Sequence, residues 1–146
     1  MGLFEQLSYG TLLLGGCALV HVSVLAFGIP LLVNVGSRSK LRTSKLFIPT
    51  LTLVGFGLIV FAHTLQIWLW AAWFLQSGAL MDIETAVYFS LVTYTTLGYG
   101  DIVLDEGIRI FAAFSAVAGL LTFGLSTAFL VGLIGRILPS GTVGEN

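Results

Sequence analysis

Charged side chains are scarce in this chain, and their absence from three long stretches excludes a water-soluble fold. Only 9% of its 146 residues are charged, and a mean hydropathy of +1.03 lies well outside the range of soluble domains. Residues 6–37, 46–81 and 110–135 contain no Asp, Glu, Lys or Arg. Each of these stretches exceeds the roughly 20 residues that a membrane-spanning helix requires. The sequence therefore predicts an all-α membrane protein with three transmembrane helices.

Cysteine and basic residues are also scarce, which excludes further classes of protein and orients the chain. A single cysteine, Cys17, cannot form an intrachain disulfide, and a net charge of −1 argues against a nucleic-acid partner. Four of the six Lys and Arg residues lie in the segment GSRSKLRTSK, residues 36–45. Basic loops remain on the cytoplasmic side and meet anionic membrane lipid there. We therefore expect a multi-pass protein of the cell membrane with an external N-terminus and a cytoplasmic C-terminus.

The connection between the second and third apolar stretches carries most of the acidic residues. Five of the seven Asp and Glu side chains lie in it, so the predicted outer face is acidic. Three tryptophans near the end of the second stretch, Trp68, Trp70 and Trp73, favour the level of the lipid headgroups. In the first stretch, Pro30 predicts either a kink or a nearby helix end, and we favour the kink.

An uncharged segment of sixteen residues, 85–100, lies inside this connection. Both of its ends are external if the flanking helices are oriented as predicted, so the segment cannot cross the membrane. A helix of about twelve residues covers about 18 Å, against about 30 Å of hydrocarbon. The segment is therefore expected to enter the membrane and to return on the same side.

The returning half of this segment reads TTLGYGD, from Thr95 to Asp101, and is not helical in pattern. Non-helical backbone at membrane depth is stable only inside protein or beside a water-filled path. Gly98 and Gly100 are free to adopt positive φ, which allows successive carbonyls to face one side. Such carbonyls and the Thr96 hydroxyl suit a dehydrated cation. One strand cannot surround an ion, so several copies must converge on it.

TTLGYGD resembles the potassium-channel selectivity filter, in which TVGYG is followed by Asp. The preceding AVYFSLVTYT is similar to the pore helix of that family, and AGLLTFGLSTA, residues 118–128, is similar to its pore-lining inner helix. The resemblance covers roughly residues 73–136. It implies a re-entrant pore helix and filter loop, a homotetramer with one filter strand per subunit, and passive flow of K⁺ without enzymatic chemistry or a cofactor.

The resemblance also implies roles for individual residues. The K⁺ ligands are implied to be carbonyl oxygens, joined by the Thr96 hydroxyl, in the ion-binding strand of Thr96, Leu97, Gly98, Tyr99 and Gly100. Residues that support this strand are implied to be Tyr88, Phe89, Thr95 and Asp101. Two glycines of the inner helix are implied as a gating hinge, Gly119 and Gly124. Leu97 departs from the family, where Val or Ile is usual, and this puts the stability of the filter in question.

The same interpretation divides the chain into three parts. Residues 1–45 form an additional N-terminal helix and the basic loop, residues 46–138 form the pore domain, and residues 139–146 form a short cytoplasmic tail. On the first two helices, five glycines are expected to allow close contact between helices. They are Gly15, Gly16, Gly28, Gly55 and Gly57.

Two histidines, His21 and His63, are predicted deep in the bilayer at similar depth. An ionisable residue inside the membrane suggests a function such as proton sensing or metal binding. The structural alternative is that two neutral imidazoles hydrogen-bond across the helix hairpin or to a backbone carbonyl. Gln66, one turn beyond His63, is placed to join such a network.

Three alternatives to a selective potassium channel remain open. The first is a weakly selective cation channel. The second is an intramembrane subunit that handles a metal or a quinone through His21 and His63. The third is a non-conducting subunit that assembles with a longer channel.

Overall fold

A computed structural model describes residues 1–38 and 46–137 of the chain, which form four helices. These are α1 (Leu3–Arg38), α2 (Phe47–Gln76), α3 (Ile83–Tyr94) and α4 (Arg109–Ile137). No β-strand occurs among the described residues, so the all-α prediction is confirmed. Residues 39–45 of the predicted basic segment at 36–45, and the predicted tail, lie outside the described residues.

Three of the four helices are long and apolar enough to cross a membrane. Their candidate spans are Leu3–Pro30, Phe47–Gln76 and Arg109–Gly135, which confirms the three predicted transmembrane helices. α1 continues past Pro30 to Arg38. Of the two expectations at that proline, the nearby helix end is therefore wrong.

α3 is the half-length segment, with twelve residues. Asp82 caps its N-terminus, because the carboxylate accepts a hydrogen bond from the Thr85 amide at 2.8 Å. This bond lowers the pKa of Asp82. Glu84 adds a second negative charge in the first turn, where the helix dipole favours it. The helix packs against both α2 and α4 and ends at Tyr94.

An aromatic core holds α3 against α2 and α4. Phe74 of α2 packs edge-to-face on Phe89 of α3, with 5.1 Å between ring centroids. Trp73 stacks on Phe111 of α4 at 3.7 Å. Trp70 is fully buried between Phe74 and Phe111. Its burial does not fix its level along the membrane normal, so the expected position of the indole near the headgroups stays a prediction.

α1 packs along α2 and α4 of its own chain, and the buried side-chain amide of Gln6 fixes its N-terminal end. Gln6 Oε1 accepts hydrogen bonds from the amides of Ile110 and Phe111, at 3.1 and 3.3 Å. Gln6 Nε2 donates to the carbonyls of Met1 and Glu106, both at 3.3 Å. The first amides of a helix have no partner within that helix. Gln6 therefore caps α4 and ties α1 to it.

Five glycines were expected at contacts between helices, and two of them, Gly28 and Gly55, lie at such a contact. A side chain at Gly28 would overlap Leu58, and one at Gly55 would lie 2.6 Å from Leu133. At the other three, an added Cβ would meet none of the described residues within 4 Å. Within one chain the packing expectation is therefore wrong for Gly15, Gly16 and Gly57.

Candidate functional site

The segment after α3 has an alternating backbone. Positive φ occurs at Thr96 (62°), Gly98 (52°) and Gly100 (76°), so the expectation for the two glycines is confirmed. Glycine adopts this conformation without steric cost, whereas Thr96 is strained by it. Strained residues of this kind cluster at functional sites, so the segment from Thr95 to Asp101 is the candidate functional site.

Two successive amides of this segment share one acceptor. The N–H groups of Leu97 and Gly98 both donate to the carbonyl of Val92, at 3.0 and 3.2 Å. In a planar trans peptide the carbonyl points opposite to the N–H of the same unit. The carbonyls of Thr96 and Leu97 therefore point away from α3. All side chains from Thr95 to Asp101 are exposed in the single chain.

The residues expected to support this strand occupy both of its ends. The Tyr88 hydroxyl donates to Asp101 Oδ2 at 2.5 Å, and this hydrogen bond raises the pKa of Tyr88. Phe89 is buried in the aromatic core. The Thr95 hydroxyl turns back and donates to the Leu91 carbonyl at 2.8 Å. The structure thus joins Tyr88 to Asp101 and Thr95 to the helix before it, while Phe89 packs in the aromatic core.

The two glycines implied as a hinge have different surroundings. A Cβ atom at Gly119 would overlap the carbonyl oxygen of Tyr94, so α3 ends directly against the backbone of α4. At Gly124 an added Cβ would meet no described atom within 4 Å. α4 is a continuous helix through both positions. Gly119 is therefore a packing contact, and the role of either residue as a hinge stays a prediction.

Five buried polar side chains form a closed circuit that joins all four helices, and we call them the polar ring. Gln66 Nε2 lies 3.0 Å from His21 Nδ1, and His21 Nε2 lies 3.1 Å from Ser126 Oγ. Ser126 Oγ lies 2.9 Å from His63 Nε2, and His63 Nδ1 lies 2.8 Å from Tyr94 Oη. Tyr94 Oη donates to Gln66 Oε1 at 3.1 Å and closes the circuit. Every member is buried.

The polar ring brings together the two histidines that the sequence singled out. Their ring centroids are 5.0 Å apart, and all four imidazole nitrogens of His21 and His63 have a polar protein partner. Among the described residues, no group of three or more His, Cys, Asp and Glu side chains is placed to hold a metal ion. Gln66 joins the two histidines, as expected.

Sequence reasoning missed the remaining members, Tyr94 and Ser126, and their neighbour Thr122, although a signal was present on α4. Thr122 and Ser126 lie four residues apart on α4. The Thr122 hydroxyl oxygen, Oγ1, lies 2.8 Å from Tyr94 Oη. Polar residues at this spacing share one face of a helix. Two of them in an otherwise apolar span therefore indicate a buried polar contact, but only the fold shows that their partners are Tyr94 and the histidines.

A family model described as "ion channel" matches residues 61–136. The matched region contains the second half of α2, all of α3, the segment TTLGYGD and nearly all of α4. Searches of curated proteins and of solved structures returned no match.

Proposed function

Because the chain belongs to the ion channel family, whose model spans residues 61–136, we propose that it forms a potassium-selective channel. Four copies assemble around a common axis, and each contributes the strand from Thr95 to Asp101. K⁺ moves down its gradient through the carbonyls of this strand. The protein carries out no covalent chemistry and needs no cofactor besides the permeant ion.

The observation that supports this proposal most directly is the shared acceptor on α3. Because the amides of Leu97 and Gly98 both bond to Val92, the carbonyls of Thr96 and Leu97 face away from their own chain. Rows of backbone carbonyls are the groups that replace the hydration shell of K⁺ in channel filters. The strand thus offers oxygen atoms to a partner that its own chain does not supply.

Several copies are required because one strand covers only one side of an ion. Removing an ion from water without replacing its ligands costs on the order of tens of kcal/mol. Lipid offers exposed carbonyls no hydrogen-bond donor, so the strand cannot face acyl chains either. Three further copies would supply the missing oxygen atoms and exclude lipid from the strand.

Electrostatics around the strand also favour a cation. The C-terminal end of α3 carries partial negative charge and lies next to Thr95. Five acidic residues follow α2 and precede α4, and clustered carboxylates raise the local concentration of cations. They are Asp82, Glu84, Asp101, Asp105 and Glu106.

We place this acidic mouth outside the cell. The assignment follows from the basic segment at residues 36–45, since basic loops remain cytoplasmic. The chain is then a multi-pass protein of the cell membrane with an external N-terminus. Its lipid contacts are the apolar faces of the three spanning helices, together with the basic loop.

A weakly selective cation channel is the alternative within the same class. Leu97 stands where the family carries Val or Ile, and its side chain is 55% exposed in the single chain. Its packing is therefore set only in the assembly. The ratio of K⁺ to Na⁺ permeability in a reconstituted bilayer separates the two channels, and we expect K⁺ to permeate far better than Na⁺.

An intramembrane subunit that handles a metal or a quinone is less well supported. All four nitrogens of His21 and His63 already have protein partners, so a metal would have to displace them. Membership of an ion channel family also fits transport better than redox chemistry. Whether the purified chain conducts by itself distinguishes the proposed channel from a non-conducting subunit.

The proposal is tested by K⁺ flux into liposomes that contain only this protein, with Gly98→Ala as the variant. Gly98 has φ of 52°, so each of four alanines would strain the strand by about 1–3 kcal/mol. We expect flux in the wild type and none in Gly98→Ala.

Gly78→Ala is the matched control. Gly78 also has positive φ, 71°, and a Cβ there would meet no described atom within 4 Å. It lies in the turn between α2 and α3, outside the strand, and we expect Gly78→Ala to conduct. Equal flux in wild type and Gly98→Ala would contradict the proposed pore.

A further inference from the structure

We propose that the polar ring is a proton-binding site, that His63 Nε2 receives the proton, and that a protonated ring reduces K⁺ flow. Only the last of these statements rests on the proposed function. The first two follow from the donors and acceptors of the ring itself.

The direction of the ring is set at Gln66. Its Nε2 atom lies 3.2 Å from the Ala62 carbonyl and donates to it. If the amide were reversed, two oxygen atoms would face each other there. Nε2 therefore has its second hydrogen for His21 Nδ1, and Oε1 accepts from the Tyr94 hydroxyl.

The remaining protons follow from this orientation. His21 accepts at Nδ1, so the neutral ring carries its proton on Nε2 and donates to Ser126 Oγ. Tyr94 gives its proton to Gln66, so His63 donates from Nδ1 to Tyr94 Oη and accepts at Nε2. The Ser126 hydroxyl donates to that nitrogen. All five side chains then donate in one direction, and no member is left unpaired.

The other neutral form of His63 satisfies fewer groups. With the proton on Nε2, His63 Nδ1 would accept the hydrogen of Tyr94. Gln66 Oε1 would then lose its donor while fully buried, and buried acceptors are rarely left unpaired. The structure thus assigns Nδ1–H to His63 and Nε2–H to His21.

His63 can bind one extra proton if only the Ser126 hydroxyl rotates. A proton on Nε2 requires Ser126 to stop donating to it. The Ser126 hydroxyl has a second acceptor, the Thr122 carbonyl, at 2.8 Å. Once it turns to that carbonyl, Ser126 Oγ accepts from both His63 Nε2 and His21 Nε2. All polar groups of the ring stay paired around a cationic His63.

His21 cannot bind an extra proton without leaving polar groups of the ring unpaired. A proton on its Nδ1 would face the NH₂ group of Gln66, so two donors would meet. Turning the Gln66 amide would relieve this contact only by losing the bond to Ala62 and the bond from Tyr94. Only one of the two histidines is therefore suited to a proton, and its charge opposes a second proton on a ring 5.0 Å away.

A cavity leads to the same histidine. It has a volume of about 260 Å³ between α2 and α4, and both His63 and Ser126 line it. His63 retains 8% exposure, whereas His21 is fully buried and does not line this cavity. From His63 the cavity extends past Phe56 on α2 and Leu130 on α4. It therefore runs towards the half of the membrane opposite to the strand from Thr95 to Asp101. In the proposed orientation that half is cytoplasmic.

Few ionisable groups surround His63. α1 contributes His21, α3 contributes Tyr94, and Cys17 on α1 is buried in the neighbouring core. α4 presents Ser126 and the ring of Phe123, at 4.5 Å between centroids. No Asp, Glu, Lys or Arg occurs within the apolar stretches of α1, α2 and α4. A proton on His63 is consequently an uncompensated charge.

This charge would lie beside the end of the pore helix. Tyr94, the direct partner of His63, is the last residue of α3 and its carbonyl abuts Gly119. The ion-binding strand begins two residues later. A positive charge there opposes the partial negative charge that α3 directs at a cation. We therefore expect acidification from the side of the cavity to reduce K⁺ flux.

The proton assignment is tested by ¹⁵N NMR of the histidine side chains of the whole protein in lipid nanodiscs. At about pH 8, well above the ordinary titration of histidine, His21 should carry its proton on Nε2 and His63 on Nδ1. On acidification His63 Nε2 should be protonated first. A proton on His63 Nε2 at high pH, or first protonation of His21, would overturn the assignment. This measurement needs no conduction, so it stands if the proposed function fails.

The effect on flux is tested in the same preparation by acidifying one side of a planar bilayer. Flux of K⁺ should fall from about nine-tenths to about one-tenth of its maximum over about two pH units or fewer. His63→Gln should abolish this dependence, and the matched variant His21→Gln should retain it. Acid inhibition that persists in His63→Gln, or a conducting wild type that ignores pH, would overturn the regulatory step.

Discussion

The strand from Thr95 to Asp101 and the polar ring are both polar regions in an apolar chain, but they satisfy their polar groups in opposite ways. In the strand, Leu97 and Gly98 use their amides on α3 while the carbonyls of Thr96 and Leu97 face outward. In the ring, side chains from four helices pair with one another and are buried.

This difference separates what a single chain completes from what it leaves open. A polar group with no partner inside the membrane is costly, so the open carbonyls indicate a partner outside the chain. The closed ring indicates internal cohesion among α1, α2, α3 and α4. Variants that disturb the contact between the two regions, or that remove single groups from either region, test this difference.

The largest effect is expected at Gly119, where the two regions meet through α4. Gly119→Ala would drive a methyl group into the Tyr94 carbonyl. Overpacking against backbone costs about 1–3 kcal/mol or more, and we expect loss of K⁺ flux and a lower yield of folded protein. Gly124→Ala is the control, because the described residues leave its Cβ position open. If Gly124→Ala abolished flux and Gly119→Ala did not, a hinge at Gly124 would replace this packing account.

A smaller effect is expected from opening the ring. Tyr94→Phe leaves Gln66 Oε1 and His63 Nδ1–H without their partner. We expect a loss of at least about 1 kcal/mol in the free energy of unfolding, measured in detergent. Ser90→Ala is the matched control on the same helix, since Ser90 Oγ is buried with no hydrogen-bond partner among the described residues. Equal destabilisation by both variants would show that the ring adds nothing to stability.

The smallest effect is expected at the exposed mouth of the strand. Hydrogen bonding to Asp101 raises the pKa of Tyr88 above its ordinary 10.0. The stabilisation by this bond is therefore complete below pH 10 and is lost as the pH rises through the raised pKa. K⁺ flux should weaken modestly at high pH in the wild type, and Tyr88→Phe should remove that dependence. The exposed Tyr9→Phe serves as control, and an alkaline loss that survives in Tyr88→Phe would contradict this role.

The sequence predicted the helices and the strand because each has a local signature. Gaps in charge mark the spanning helices, and the alternation of TTLGYGD with its two glycines marks a backbone of unusual φ. The uncharged segment at residues 85–100, too short to cross a membrane, marks the half-length helix and the strand that follows it. These features depend on neighbours in the sequence and need no knowledge of the fold.

The ring, the α4 cap and the burial of Trp70 could not be predicted in the same way. Gln6 caps α4 across about a hundred residues of sequence, and Tyr94 is connected to Ser126 through His63 of a different helix. Hydrogen bonds between distant residues depend on which faces of the helices meet. In uniformly apolar spans the periodicity of apolar residues does not reveal those faces. His21 and His63 could be identified as unusual, but their partners could not.

In the proposed channel, four copies of the strand from Thr95 to Asp101 coordinate K⁺ through their carbonyls. An experimental structure of the protein in lipid, with Tl⁺ in place of K⁺ and its anomalous signal measured, tests this most directly. We predict a row of ion peaks on a fourfold axis, level with the carbonyls of Thr96, Leu97, Gly98 and Tyr99. Chains that do not share an axis, or an axis without ions beside these carbonyls, would contradict the account.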